Sequence, residues 1–341
     1  MKLLYYIFFL SALILQASCG DDANKNSQTA DNSDFCQSGS GLIFYNRYSV
    51  DIDGETFFLN LNVINNSASA YDNLGNKLHC KFLNTDEFFV DSGSGIEFSG
   101  HFCGDSAVGS LKSGKRVVFK PDYTNANFLK TVCFISEDSS LKYSAVCITS
   151  NRLPAGVKTL LADFYFGKKS IDLQTGFKNT VAGYKADISR KSGESRTVLS
   201  LSCDVVYNNE RFFVIKKTLC QDSGALAPVD KSDFICIDVV SAKRITVDDL
   251  FDSQAREKIK ELITEDLKRH EDPTANIFYD EVTVTNNFTF TGSGITFEYN
   301  SYEISDSEHA ECVVKIDTAD LKSLMNPFYF NIISQQYKLN K

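Results

Sequence analysis

Turn-forming residues recur about every ten residues between Leu42 and Tyr123, and short runs of alternating apolar and polar residues fill the intervals. The turns are Asp53-Gly54, Asn65-Asn66, Asn73-Leu74-Gly75 and Ser92-Gly93-Ser94-Gly95. Between and around them lie Phe57–Val63, Lys77–Leu83, Glu87–Val90, Ile96–Phe102 and Arg116–Phe119. That spacing predicts an antiparallel meander closing into a small barrel or a sandwich.

The rest of the chain mixes hairpins with helical periodicity. Thr131–Ile135 and Lys142–Thr149 flank the turn Glu137-Asp138-Ser139-Ser140, Leu153-Pro154-Ala155-Gly156 breaks the pattern, and Val157–Phe166 is predicted as a short helix. A longer hairpin, Thr197–Tyr207 with Arg211–Leu219, turns at Asn208-Asn209-Glu210, and the strand Phe234–Val240 follows. Ala255, Ile259, Leu262, Ile263 and Leu267 recur at helical spacing, so Ser253–His270 is the clearest helix; Asp252 or Ser253 caps it and Pro273 lies past its end. Phe288–Phe290 and Ile295–Tyr299 flank Thr291-Gly292-Ser293-Gly294 as a further hairpin. Tyr302-Glu303-Ile304, a polar loop, the strand Cys312–Ile316 and a helix Thr318–Met325 complete the pattern. The expected fold class is α+β: an all-β antiparallel meander at residues 36–125, then an α+β domain at residues 126–335 with an antiparallel sheet packed against helices. Residues 336–341 read as a tail.

The first residues carry an address. Met1-Lys2, the apolar run Leu3–Leu15 and Ala17-Ser18 before Cys19 read as a signal peptide over residues 1–18, too short in its apolar part to span a bilayer. Cys19 resembles the lipidated cysteine of a bacterial lipobox, and Gly20-Asp21-Asp22 resembles the acidic export signal of surface lipoproteins in some Gram-negative bacteria. The expected location is the cell envelope, lipid-anchored to the outer membrane. Asp21–Asp34 is too polar to bury a core, so residues 19–35 form a flexible tether. A formal charge of −9 argues against nucleic acid and permits a basic partner.

Cys36, Cys80, Cys103, Cys133, Cys147, Cys203, Cys220, Cys236 and Cys312 follow the lipidated one, an odd number in an address that allows disulfides. Cys133 and Cys147 flank their hairpin turn nearly symmetrically and are the first disulfide candidates; Cys203 and Cys220 are a second pair. His79, Cys80, His101 and Cys103 form the one metal-like group. Strand alternation puts Cys80 with Leu78 and Phe82, opposite His79, so no metal and no cofactor is expected. No GxSxG elbow or phosphate loop is present: the Gly-Ser repeats precede strands rather than helices. Glu281, Glu298 and Glu303 are the carboxylates from which a hydrolytic pair would have to come.

The order of motifs resembles the RsiV-like extracytoplasmic domain, which also accompanies the catalytic part of PdaC-type peptidoglycan deacetylases. Ser223-Gly224-Ala225-Leu226 stands where that family has a GGAH turn, and Ser241–Phe251 stands for its "tGk.itl.Dlf" stretch. Phe288–Ile304 stands for its "FT..GI.F.Y..YEI". The resemblance covers roughly Ala126 to Tyr329. It implies a binding surface at Tyr299, Tyr302, Glu303, Asp306 and His309, with Gly224 and Ala225 nearby. Leu226 replaces the family's His, and Ser305–His309 lacks the usual Pro-Tyr pair and Gly. The deacetylase HxxxH pair is missing, since no two of His79, His101, His270 and His309 have that spacing. The implied function is a non-catalytic envelope lipoprotein that binds a lysozyme-like protein or peptidoglycan. Two alternatives stay open: an envelope hydrolase acting on peptidoglycan through a carboxylate site, and a structural or assembly lipoprotein.

Overall fold

The computed structural model describes residues 36–38, 41–65, 67–83, 87–91, 97–167, 170–190, 196–223, 229–270, 276–306 and 312–339. The signal peptide, the tether and Cys19 lie outside them. Nine strands come first: β1 (Cys36–Ser38), β2 (Gly41–Ile52), β3 (Glu55–Ile64), β4 (Ser67–Asp72), β5 (Lys77–Phe82), β6 (Glu87–Asp91), β7 (Glu97–Cys103), β8 (Ser106–Leu111) and β9 (Arg116–Pro121). They pair antiparallel in chain order, and β9 returns to β2 through Tyr48↔Pro121 and Ser49↔Lys120. The meander therefore closes as an eight-stranded barrel, β2 to β9, which leaves few strand edges unpaired. Phe44, Leu59, Leu61, Phe88, Phe98 and Phe119 are buried in its core. Gly100 and Gly109 face each other across β7 and β8. The Phe98 ring occupies their place, its Cζ 2.4 Å from where a Cβ on Gly100 would stand. The barrel is packed with side chains, as small eight-stranded barrels are.

A six-stranded sheet follows, built from β10 (Lys130–Glu137), β11 (Leu141–Thr149), β12 (Thr197–Asn208), β13 (Phe212–Asp222), β14 (Val229–Asp238) and β15 (Lys243–Ile245). The expected antiparallel pairing holds across this sheet except at one place, where β11 and β12 run parallel from Leu141↔Thr197 to Ala145↔Leu201. Two helices make the crossover that a parallel neighbour requires, α1 (Ala155–Phe166) and α2 (Leu173–Arg190). Helix α1 coincides with the predicted one; α2 is new. Its apolar positions Leu173, Phe177, Val181, Tyr184 and Ile188 do recur at helical spacing. Gly176, Gly183, Thr175 and Thr180 dilute that signal with weak helix formers.

The sheet is a middle layer. Along β13, Phe212 and Val214 enter one core while Phe213 and Ile215 enter the other. Helices α1 and α2 cover the second core. The first is shared with α3 (Val247–Leu250), α4 (Ser253–Arg269) and a three-stranded antiparallel sheet of β16 (Phe288–Thr291), β17 (Gly294–Tyr299) and β18 (Cys312–Asp317). Helix α4 is capped as expected, Asp252 Oδ1 accepting from the Ala255 N–H at 2.8 Å. Its face Ala255, Ile259, Ile263 and Leu267 is buried. The C-terminal helix is two helices, α5 (Thr318–Leu321) and α6 (Pro327–Leu339), so residues 336–339 of the expected tail continue α6. Pro327 cannot extend a helix but suits the start of one, and Asn326 Oδ1 accepts from the Phe328 N–H at 3.0 Å. Among the described residues no helix is long and apolar enough to cross a membrane.

The hairpin register overturns the first disulfide candidate. Cys133 lies opposite Val146, and Cys147 opposite Val132, so the two thiols leave the sheet on opposite faces. Likewise Cys203 faces Lys217 while Cys220 faces Ser200. The register therefore supports neither hairpin disulfide.

Candidate functional site

Strand β14 pairs with β13 along its length but with β15 only from Cys236 to Asp238. Its earlier residues would present open backbone to the third sheet, and asparagine side chains fill the gap. Asn287 Oδ1 accepts from the Phe234 N–H at 2.9 Å, while its Nδ2 donates to Ser232 O at 3.1 Å and Glu298 O at 2.8 Å. Asn300 Oδ1 accepts from the Ser232 N–H at 2.7 Å, and its Nδ2 donates to Ser232 O at 3.0 Å. Arg244 Nη2 donates to Phe234 O at 3.2 Å. These amides stand in for a missing strand, which a buried backbone edge demands.

The same residues wall a cleft of about 470 Å³ between the two sheets. One side holds Asp230, Lys231, Asp233, Phe234 and Arg244; the other holds Thr285, Asn286, Asn287, Asn300, Ser301, Tyr302 and Glu303. Lys217 pairs with Asp233 at 3.1 Å. The Cys220 thiol is pushed up to about 11, first by its hydrogen bond with Asp230 and then by burial. The cleft thus offers carboxylates, cations, amides and two aromatic rings, Phe234 and Tyr302, within a short reach.

Of the residues proposed from the motif, Tyr302 and Glu303 line this cleft. Tyr302 is 60% exposed, and its backbone sits at φ 62°, the left-handed region. It is the third residue of a turn closed by Glu303 N–H donating to Asn300 O at 3.0 Å, a place glycine usually takes. Glu303 Oε2 accepts from the Asn300 N–H at 3.0 Å, which fixes the turn from the other side. Tyr299 is not at the surface: it is 1% exposed and its hydroxyl donates to Thr283 O at 2.6 Å. Burial pushes that hydroxyl above the usual tyrosine range. It is a sheet residue turned inward by strand alternation, so its place in a binding surface is withdrawn. Asp306 is exposed and accepts from Asn276 Nδ2 at 3.1 Å, away from the cleft lining. His309, Gly224 and Ala225 lie outside the described residues.

Asp230, Lys231, Asp233, Arg244, Asn286, Asn287 and Asn300 were not anticipated. Asn286-Asn287 and Asn300 bracket the β16–β17 hairpin, and side-chain amides at both strand ends were the readable signal. Glu298, a carboxylate candidate, is buried and bound by Lys216 Nζ at 2.8 Å. Glu281 is exposed in a short 3-10 turn, Tyr279–Glu281. On the barrel, His79 points outward while Cys80 packs against the core, its thiol pushed up to about 12 by burial. Among the described residues no group of three or more His, Cys, Asp or Glu has the arrangement of a metal site.

A second contact joins barrel and hairpin. The β4–β5 turn seats on the β16–β17 turn, with Ser293 N–H donating to Leu74 O at 3.3 Å. A Cβ on Gly75, at φ 79°, would stand 2.6 Å from Thr291 Cγ2. Glycine is required there by both conformation and space.

The sequence from α3 to β18 has recognisable relatives. Residues 248–316 match the family described as "Protein of unknown function (DUF3298)". The matched stretch supplies the Tyr302 side of the cleft, and the Asp230–Arg244 side precedes it. So the cleft lies on the boundary of the DUF3298 region. Among solved structures, a DUF3298 family member from Bacteroides fragilis aligns at a TM-score of 0.52 and 16% identity, over 63% of this chain and 100% of that one. A DUF3298 family protein from Pseudomonas aeruginosa aligns at 0.45 and 15%, over 60% and 97%. At this identity the Bacteroides likeness speaks to fold alone. No curated protein matches the chain.

Proposed function

We propose that the protein is a non-catalytic, lipid-anchored envelope protein whose Tyr302–Glu303 cleft takes a protein or peptidoglycan ligand. The conformation of Tyr302 carries this reading. A bulky residue in the left-handed region costs about 1–2 kcal/mol, and a ring 60% exposed recovers little of that through burial. Strain kept at an exposed aromatic in a polar cleft is the pattern of a recognition residue. The lipobox-like Ala17-Ser18-Cys19 supports the address, and the RsiV-like order of motifs supports a lysozyme-like protein as the first ligand to try.

The test is binding to hen-type lysozyme at low and physiological salt, with Tyr302→Ala alongside. Saturable binding that survives physiological salt and falls at least tenfold in the variant supports the reading. Binding confined to low salt is attraction between an acidic and a basic protein and rejects lysozyme as ligand. No binding also rejects it, and sedimentation with purified peptidoglycan then decides the other ligand. Peptidoglycan cleavage that disappears in folded Glu303→Gln would overturn the non-catalytic part.

A further inference from the structure

A second cleft, of about 670 Å³, opens where the barrel meets the end of the third sheet. The β4–β5 turn lines it with Asn76, the β16–β17 turn with Ser293, β18 with Lys315, α5 with Lys322, and α6 with Phe330 and Asn331. Its volume falls in the range of small-molecule sites, roughly 300–1,000 Å³. Glycines let its two turns meet. Besides Gly75 against Thr291, a Cβ on Gly292 would stand 2.7 Å from Leu74 Cδ2. Asn76 is held within its own turn: its N–H donates to Asp72 Oδ1 at 2.8 Å and its Nδ2 to Asp72 Oδ2 at 2.9 Å. Thr318 Oγ1 donates to Gly292 O at 3.2 Å and ties α5 to the same corner. The cleft is therefore shaped before any ligand arrives, which lowers the cost of binding.

The lining is cationic in a chain of formal charge −9. Lys315 has Asp317 at 3.4 Å, an exposed pair that holds it weakly. Lys322 is exposed and makes no ion pair among the described residues. An ammonium is a compact point charge that meets carboxylate and phosphate alike. Asn76, Asn331 and Ser293 bring amides and a hydroxyl, which both donate and accept as a sugar's hydroxyls do. Phe330, half-buried, adds an apolar ring. We propose that this cleft is a second ligand site, for a sugar carrying a carboxylate or a phosphate. Lys315 and Lys322 meet the anion, and Asn76, Asn331 and Ser293 meet the ring hydroxyls. The ligand would touch the barrel and the DUF3298 region at once. The site shares no lining residue with the Tyr302–Glu303 cleft and does not rest on the reading of that cleft.

The test is isothermal titration of the full chain with digalacturonate, glucose phosphate and maltose at physiological salt. At least one of the two anionic sugars should bind saturably, and which one binds tells carboxylate from phosphate. Maltose should bind about tenfold more weakly or worse. Changing Lys315→Gln and Lys322→Gln together should weaken the anionic sugar by about tenfold or more, the loss of one or two charge-assisted contacts. Asn331→Ala should weaken it in the same direction, and Tyr302→Ala should leave it unchanged. All three changed positions in this cleft are exposed, so the variants should keep the native circular dichroism and melting behaviour. Absence of saturable binding at physiological salt overturns the proposal, as does maltose bound as tightly as the anionic sugars. Binding indifferent to both lysines but lost in Tyr302→Ala also overturns it, and assigns the sugar to the first cleft.

Discussion

Lys216 of β13 grips Glu298 of β17 with both carboxylate oxygens, Nζ lying 2.8 Å from Oε1 and 3.1 Å from Oε2. The Glu298 side chain is only 8% exposed, so this ion pair fastens the third sheet to the middle one from within. Asp204 sits directly opposite Lys216 across β12 and β13, so one cation answers two carboxylates. Removing the cation strands Glu298 and takes one of two nearby lysines from Asp204. Lys216→Met should lower unfolding free energy by about 3–5 kcal/mol, more than Glu298→Gln, which leaves Lys216 its Asp204 partner. Urea unfolding of the two variants decides the order.

Asp204 adds a pH dependence of opposite sign to an ordinary acidic protein. Burial raises its carboxyl above the usual range, with Lys216 and Lys77 pulling it partly back. A raised carboxyl binds its proton more tightly when folded, so its contribution is full below the unfolded value. It is lost as pH climbs through the folded one. Asp204→Asn should therefore be more stable than the native chain at neutral pH, with the advantage fading toward pH 4. Thermal melts across that range check it; a variant that is less stable at neutral pH would show that the Lys216 attraction outweighs burial.

Asn287 makes three hydrogen bonds to backbone on two sheets. Asn287→Ala removes the acceptor of the Phe234 N–H and one donor each from Glu298 O and Ser232 O, the latter keeping Asn300, for an expected loss of about 2–3 kcal/mol. Asn287→Asp should do no better, because its second oxygen would face Ser232 O and Glu298 O where an N–H is needed. Chemical denaturation of both variants measures this.

Tyr302→Gly separates strain from packing. Glycine relieves about 1–2 kcal/mol of left-handed strain and gives back about 0.5–1 through unfolded-state entropy. The variant should match the native chain or exceed it by up to about 1.5 kcal/mol while losing ligand affinity. A clear loss of stability instead would assign the ring to packing.

The readable parts of the sequence were those whose signal is local. The five barrel strands named from the sequence, the α4 stripe and the hairpin around Thr291–Gly294 all come from alternation, periodicity and turn residues, and each appears within a residue or two of its expected place, whereas β2, β4 and β8 were given no bounds. Tyr302 and Glu303, contiguous in a motif, both line the cleft. Asp230, Arg244 and Asn287 were not anticipated, because they meet only after two sheets pack and nothing in their neighbourhoods marks the encounter. Tyr299 was misplaced for a related reason: alternation says which residues share a face, and only packing says which face is covered. The parallel pair of β11 and β12 was invisible because its partners are separated by the α1–α2 crossover, whose second helix has a diluted apolar stripe.

That parallel pair also sets the order in which the protein can be built. Hairpins close over short loops, so β10–β11 and the β12–β13–β14 meander can each form early and independently. Joining them requires the long crossover to collapse first, and each step in loop length adds to the entropy of that closure. Between the two events the edges of β11 and β12 stand open. The seam at Leu141–Ala145 is therefore the last piece of the middle sheet to set, and the interval before it sets is when this chain is most open to pairing with a neighbour.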